Sequence, residues 1–431
     1  MRCLLRLICI GALAAVVSGC GGGKETGAAN PSPAAPSSGL GKVAYSLDSE
    51  IYVKALPDGE PHRVTQGRAP RWSPSGEWLL LARGTGYWVV REDGSGGRAI
   101  PGAHAIWAIG MDRLAYWSGN VGVVVEDADG SSRKELAATE GEVWGLAWSP
   151  DGARLAYDQL VEVPLSGYYQ DGEGGKRFPI NRRASLWVVD VDERTRPVEL
   201  YSSTRDGVVV AGWSADSQYV LFWLDPMFAN SATNDGLPLY SVPASGGEPR
   251  ELTFSLLAGV WEPAPSGGAT IVMTEGASGF TFTYQRVALA DVATGQVTYL
   301  TGEDTASQQP DWSPDGRQIA FASQPDKGMV GGDGNELTKL CVDRRIWVMN
   351  ADGDDKRQLT DDPQYRDERP LWSKDGSHIL FVRPDGEMRA SLWLVPAAGG
   401  EPQQVVTLQD VEPDGGRSIG WDSIFDWWRG P

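Results

Sequence analysis

The pattern Trp-Ser-Pro-Asp-Gly constrains this chain more than any other feature, because it returns along most of its length with an apolar triplet at a fixed distance. It occurs in full at residues 148–152 and 312–316. Relaxed copies start at Trp72, Trp213 and Trp372, and in all five the triplet begins seven positions after the Trp. Such self-similarity predicts one repeat array rather than several unrelated domains. Of the chain's 18 Trp, most fall at fixed places in the repeat, which marks them as packing residues.

Triplets begin at Val43, Leu79, Leu114, Leu155, Val220, Ile271, Ile319 and Ile379, so the repeat is present eight times. Each triplet is followed by a second short β-branched or aromatic segment (51–53, 88–90, 123–125, 186–188, 239–241, 287–289, 346–348 and 392–394). A Gly-containing turn usually comes next, and then a further short strand such as 63–65, 251–253 or 358–360. With the Trp segment first, each repeat is a four-stranded antiparallel meander that must stack on neighbours to hide its faces. The predicted fold is all-β: a β-propeller of four-stranded antiparallel blades, eight of them, with seven or six as alternatives. Pro presets φ, Asp hydrogen-bonds the following backbone and Gly accepts positive φ, so Pro-Asp-Gly reads as a hairpin turn with a structural Asp.

Two copies are degraded: Trp107 keeps its place but is followed by Gly110-Met111-Asp112, and Ala264 stands where the sixth Trp is expected. The first copy lacks a Trp strand altogether. Residues 418–423 or 424–428 are expected to supply it and close the ring. The run Trp-Ser-Pro-Asp-Gly-x-x-Ile-Ala-Phe at 312–321, with Ile-Trp-Val-Met-Asn-Ala-Asp-Gly at 346–353, resembles the propeller repeat of TolB-like proteins over residues 42–428. The resemblance implies a propeller scaffold and no particular chemistry. The N-terminal α/β domain of TolB is replaced here by other sequence, which argues against membership of a Tol-Pal type complex.

Residues 1–19 carry Arg2 and Arg6, an apolar run and a small-residue exit before Cys20, resembling the signal peptide and lipobox of bacterial lipoproteins. The apolar run is too short to span a bilayer. Cys20 is therefore the expected lipid attachment point, with more than one acyl chain giving stable anchoring. Residues 20–41 are rich in Gly, Ala, Pro and Ser and read as a tether with a reach of about 25 Å. Residues 42–431 form the single propeller domain. Localisation is expected to be extracytoplasmic, on the periplasmic or cell-surface side of a bacterial membrane. The formal charge of -19, which becomes -21 without Arg2 and Arg6, disfavours nucleic-acid partners. Cys341 is the one thiol left after the signal and Cys20, so no intramolecular disulfide is expected.

Strand parity puts the Pro-Asp-Gly turns on one face of the disc and the connections between second and third strands on the other. The long connections 158–185, 223–238, 274–286 and 322–345 all fall on that second face, in blades four to seven. Tyr168, Tyr169, Lys176, Arg177, Arg182 and Arg183 in blade four, with Phe228 and Phe280 in blades five and six, are the candidate partner-binding residues. A basic, aromatic loop on an acidic body suits an acidic peptide or a sugar; the alternative is a solvated loop whose arginines pair with nearby carboxylates. Arg177-Phe178-Pro179-Ile180-Asn181 resembles a propeller loop of dipeptidyl-peptidase-like enzymes. Asp326, Asp333, Asn335, Glu336 and Asp343 supply oxygen ligands suited to calcium, although their order departs from the Asp-x-Asp-x-Asp-Gly loop, and no cofactor is the primary expectation.

His62, His104 and His378 occupy different strand positions in blades one, three and eight, and no Gly-x-Ser-x-Gly elbow or room for a following hydrolase domain is found. These features predict a monomeric, non-catalytic propeller, without catalytic residues, that binds a protein or peptide of the cell envelope on the face of blades four to seven. The alternatives are a sensory propeller for a sugar or other small molecule, and a propeller lyase or glycosidase. Two carboxylates converging near the axis would favour an enzyme.

Overall fold

The structure is a computed structural model; it describes residues 39–430 except 163–168, 171–175, 178–181, 194–195, 227–235, 256–260, 277–281, 329–340, 385–388 and 409–419. Eight four-stranded antiparallel sheets form a closed β-propeller. Seven blades are continuous in sequence. Blade one takes its inner strand, Phe425–Trp428, from the C-terminal end of the chain and pairs it with Lys42–Leu47. Trp427 lies opposite Val43, as Trp372 lies opposite Ile379 and Trp312 opposite Ile319. Of the two segments expected to close the ring, the later one pairs; Trp421–Ser423 instead makes a 3-10 turn just before it. Among the described residues no helix is long and apolar enough to cross a membrane.

A twisted four-stranded sheet has two apolar faces, so each blade is stable only between two others. Eight hydrophobic clusters straddle the eight blade pairs, from Val53 and Val64 against Trp72, Leu79 and Leu81, round to Leu392 and Leu394 against Val43, Phe425 and Trp427. Trp72, Trp148, Trp213, Trp312 and Trp372 are buried in these seams, and Trp107 is half-buried.

The turn after each Trp follows from the sequence motif. In blade seven Asp315 accepts from the Ser313 hydroxyl at 2.7 Å and from the Arg317 amide at 3.1 Å, and the Ser313 oxygen accepts the Gln318 amide at 2.9 Å. Those bonds, the Ser313 hydroxyl first, hold the Asp315 carboxyl below the usual range. Blades four, five and eight repeat this arrangement with Ser149 and Asp151, Ser214 and Asp216, and Ser373 and Asp375. Gly316 has φ 69°, and Ser217 in the Asp-Ser variant of blade five has φ 59°, so the turn imposes the left-handed conformation whichever residue is present. In blade six Pro263, not Ala264, pairs with Ile271, because that hairpin is one residue longer.

The closing seam carries additional fastening. The Trp428 indole donates to the Pro74 carbonyl at 3.0 Å, and Lys42 lies between the rings of Trp72 and Trp428 while bonding Glu92 at 2.5 Å. Gly76 is required there, since a Cβ would stand 2.3 Å from the Trp428 ring. Trp427→Ala is expected to lower the unfolding free energy by about 3–5 kcal/mol, the range for emptying a large buried aromatic. Deleting residues 417–431 exposes strand edges on both sides of the gap and is expected to abolish the single cooperative thermal transition. An unchanged calorimetric melting curve for that truncation would contradict ring closure by this strand.

Candidate functional site

The first strands of neighbouring blades touch one another at five of the eight blade pairs, which places the first strands at the axis. Two rows of polar links tie them together. One residue before the Trp, or before the residue in its place, an acidic side chain accepts the Trp amide of the next blade. Asp426 accepts from Trp72 at 2.7 Å, Glu262 from Trp312 at 3.4 Å and Asp311 from Trp372 at 2.6 Å. Three residues before the Trp, the backbone amide turns to the preceding blade: Ala69 donates to Ser46, Val210 to Asp158, Gln309 to Thr274 and Arg369 to the Gln309 carboxamide at 2.7 Å. Asp158 is fully buried and also accepts the Trp144 and Gly145 amides; burial nevertheless pushes its carboxyl up to about 6.

That second row coincides with a backbone distortion. Ala69, His104, Gln309 and Arg369 all occupy the position three before the Trp, all have φ between 51° and 55°, and each lies in a stretch where the pairing register shifts. A β-bulge re-aims the side chain of the extra residue and is common beside functional sites. Left-handed conformations at non-glycine residues cost on the order of 1–3 kcal/mol each. The same repeat position thus presents an imidazole, a carboxamide and a guanidinium in blades three, seven and eight.

Arg369 leads into a charged axial cluster. Its Nε and Nη2 both reach Oδ1 of Asp422, at 3.3 and 3.0 Å, on the 3-10 turn before the closing strand. Arg71 of blade two bonds the carbonyl of the same Asp422. Arg429 bonds Asp311 at 3.0 Å, and the Asp311 side chain is fully buried. Glu262 of blade six neighbours Asp311; burial, then the Asp311 charge, push its carboxyl up to about 8. Burial opposes the charge on Arg369, but Asp422 and the acidic pair outweigh it and hold the guanidinium charged. In turn Arg369 holds the Asp422 carboxyl below the usual range.

Two carboxyls therefore converge near the axis. Asp311 is committed to Arg429 and the Trp372 amide, while half-buried Glu262 bonds the Trp312 amide.

The sequence-derived candidates fare unevenly. Tyr168, Phe228, Phe280, Asp333, Asn335 and Glu336 lie outside the described residues, as does Cys20. Tyr169 pairs with Arg177, and Gln170 with Lys176, in a two-stranded ladder inserted in blade four. Arg182 begins the blade's long third strand opposite Glu162. Arg183 is held by Glu199 at 2.5 and 2.6 Å, as the alternative of locally paired arginines expected. Asp326 accepts from Thr283, the Tyr284 amide and the Gly328 amide, and Asp343 pairs with Lys327. Among the described residues no group of three His, Cys, Asp or Glu could hold a metal ion. Cys341 is buried, and its sulfur accepts from Arg344 at 3.1 Å. His62 bonds the Glu92 carbonyl and His378 the Ser377 hydroxyl, so of the three histidines His104 alone sits on an inner strand. Sequence inspection missed Glu262, Asp311 and Arg369; aligning the positions one and three before each Trp would have exposed them.

No protein-family model matches the chain. It is 39% identical over 93 residues to the uncharacterized peptidase YuxL of Bacillus subtilis, a match covering 22% of this chain and 12% of that protein. It is 23% identical over 295 residues to dipeptidyl-peptidase 5 of Porphyromonas gingivalis, covering 65% of this chain and 36% of the relative. The chain thus spans well under two thirds of either peptidase. Porphyromonas gingivalis dipeptidyl peptidase 4 matches in structure with a TM-score of 0.54 at 12% identity, over 84% of this chain and 57% of that one. TolB from Acinetobacter baumannii matches with a TM-score of 0.35 at 15% identity, over 79% and 80%. The propeller expected from the repeats is the fold observed, and the dipeptidyl peptidase match is a likeness of fold. The expectation that the chain is no enzyme is overturned: two of its sequence relatives are peptidases, and absent nucleophile motifs carried no weight against that kinship.

Because the folded-state pKa of Glu262 is raised, its contribution to stability is full below about pH 4.5 and is lost as pH rises through about 8. Glu262→Gln keeps the neutral form and is expected to hold its melting temperature across pH 6–8 while the native protein loses stability. Parallel melting curves against pH for the two proteins would contradict a protonated Glu262.

Proposed function

We propose that this chain is a peptide-handling propeller that receives substrate for a peptidase-type activity, held outside the cytoplasm by lipid on Cys20. The observation that carries this reading is the sequence kinship with dipeptidyl-peptidase 5, which extends over 65% of the chain. Blade four adds a geometric reason. Its second and third strands, Arg154–Glu162 and Arg182–Asp190, run nine residues each where those of blades one to three run six. Three further residues carry the strand pair about 10 Å beyond the rim, at roughly 3.3 Å per residue. The Tyr169–Gln170 and Lys176–Arg177 hairpin lies at the end of this arm, on the face opposite the Pro-Asp-Gly turns.

A basic, aromatic arm above an acidic disc favours peptides with acidic residues and shortens their search for the site. Removing residues 163–181 is expected to leave the melting temperature nearly unchanged and to weaken binding of an acidic decapeptide at least tenfold by calorimetric titration. Mass spectrometry of the incubated peptide reads cleavage in the same samples. A protein that neither binds nor cleaves peptides would refute this function. Cys20→Ser is expected to move the protein from the membrane fraction to the soluble fraction and to abolish palmitate labelling.

A further inference from the structure

The chain enters the propeller at a fixed point on the face that carries the Pro-Asp-Gly turns. Lys42–Leu47 pairs with Phe425–Trp428 on one side and Glu50–Ala55 on the other, which makes it the second strand of blade one. A second strand starts where the turn from the first strand ends, so Lys42 marks the turn face. Leu40 is buried there and its carbonyl accepts the Trp427 indole at 2.8 Å, while the Gly41 carbonyl accepts the Leu56 amide at 3.0 Å. Lys42 Nζ donates to the carbonyl of Gly76, in the blade-two turn, at 3.1 Å. Nineteen residues, 21–39, separate this point from Cys20. A tether of that length has a root-mean-square reach of about 25 Å. Strands of six to nine residues make the disc roughly 20–30 Å thick, so carrying the loop-rich face to the bilayer would use up that reach in crossing the disc.

The same face carries an apolar turn that the repeat does not call for. Blade three has Ile109-Gly110-Met111 where blade two has Pro74-Ser75-Gly76 and blade four has Pro150-Asp151-Gly152. The Ala108 amide donates to the Arg113 carbonyl and the Arg113 amide to the Met111 carbonyl, both at 2.8 Å, and Asp112 fastens the turn to blade two by accepting from the Ser75 hydroxyl at 2.6 Å. Ile109 is 54% exposed and Met111 39%, and neither belongs to the clusters that fill the seams on either side of blade three. The Met111 methyl rests over Gly152, where a Cβ would stand 2.4 Å away, and extends this surface to the turn of blade four.

We propose that Ile109 and Met111 insert into the interface of the bilayer to which Cys20 is anchored, so that the turn face lies on the membrane and the blade-four arm points away from it. This rests on lipid attachment at Cys20, itself outside the described residues, and adds to it the face that meets the membrane. Two side chains offer far less than the roughly 1,200 Å² of a stable protein interface. A bilayer held by a short tether is instead present at high effective concentration, so a weak apolar contact is sufficient to orient the body. The contact is apolar and not electrostatic: the chain carries a formal charge of -19, and Arg113 at the end of the turn is engaged by Asp127 and Asp192. Neutral headgroups therefore fit this face and anionic ones repel it.

The test uses the acylated full-length protein on phosphatidylcholine vesicles that contain a doxyl-labelled lipid as quencher. Bimane is placed on Ile109→Cys or, on the loop-rich face, on Tyr284→Cys, where the native side chain is 59% exposed; Cys341 is buried and does not compete for the label. Quenching is expected to be about threefold stronger at position 109 than at 284. Adding Met111→Glu is expected to bring position 109 down to the level of 284, whereas Val342→Glu on the loop-rich face leaves it unchanged. Equal quenching at the two positions in a protein that floats with the vesicles would overturn the membrane-facing turn and leave the Cys20 anchor intact. Failure to float would overturn both, and quenching that survives Met111→Glu would overturn these residues as the contact.

Discussion

The polar link between one inner strand and the next is the interaction on which the rest of this structure depends. The apolar faces of the blades pack side by side through eight seams, but side-by-side packing of twisted sheets sets no register at the axis. Register comes from buried and half-buried acceptors that take specified amides of the next blade: Asp426, Glu262 and Asp311 at the Trp, and Ser46, Asp158 and Thr274 three residues earlier. A buried amide left without an acceptor costs far more than a formed bond contributes, so these links exclude slipped arrangements. In the last blade pair the acceptor is itself a side chain of the bulge, Gln309, which joins the architecture to the site.

The bulge is where architecture becomes chemistry. In most blades the inner strand needs only to turn an amide toward its neighbour. In blades seven and eight the left-handed residue that does so is Gln309 or Arg369, and in blade three His104 takes the same conformation, so the distortion presents a polar head near the axis. Cooperation of this kind explains why the strain persists: the surrounding ladder and the inter-blade acceptor over-determine it. The axial acids show the same double duty. Asp311 holds the Trp372 amide and Arg429, and its charge adds to burial in raising the Glu262 carboxyl.

Much of the fold was legible because a repeat announces itself in one dimension. Trp148, Trp312 and their relatives, the Ser-Pro-Asp-Gly turns and the triplets lie within a few residues of one another, so local spacing was sufficient to assign strands and turns. The ring closure was legible for a related reason, since the first copy visibly lacked the strand that residues 425–428 provide. Blade six shows the limit of spacing: one extra turn residue moved the strand position from Ala264 to Pro263. The candidate site was much less legible. Glu262 and Asp311 are separated by 49 positions, and Arg369 and Asp422 by 53, and neither pair forms a recognisable motif. The residues that stood out in sequence, those of the blade-four arm, did so by composition, and composition found the arm without finding the axis.

By itself the sequence determined a propeller of eight blades closed by its C-terminal strand, an acidic body and a candidate lipidated Cys20. It could do so because blade identity is encoded in contacts a few residues apart, repeated until the pattern is unmistakable. Only the tertiary structure decided that the positions one and three before the Trp hold a neighbouring carboxyl pair and an arginine paired with Asp422, because those groups meet only when the eight inner strands are brought around one axis. Burial there raises the Glu262 carboxyl, and burial at an axis is a property of the closed ring, absent from any single repeat.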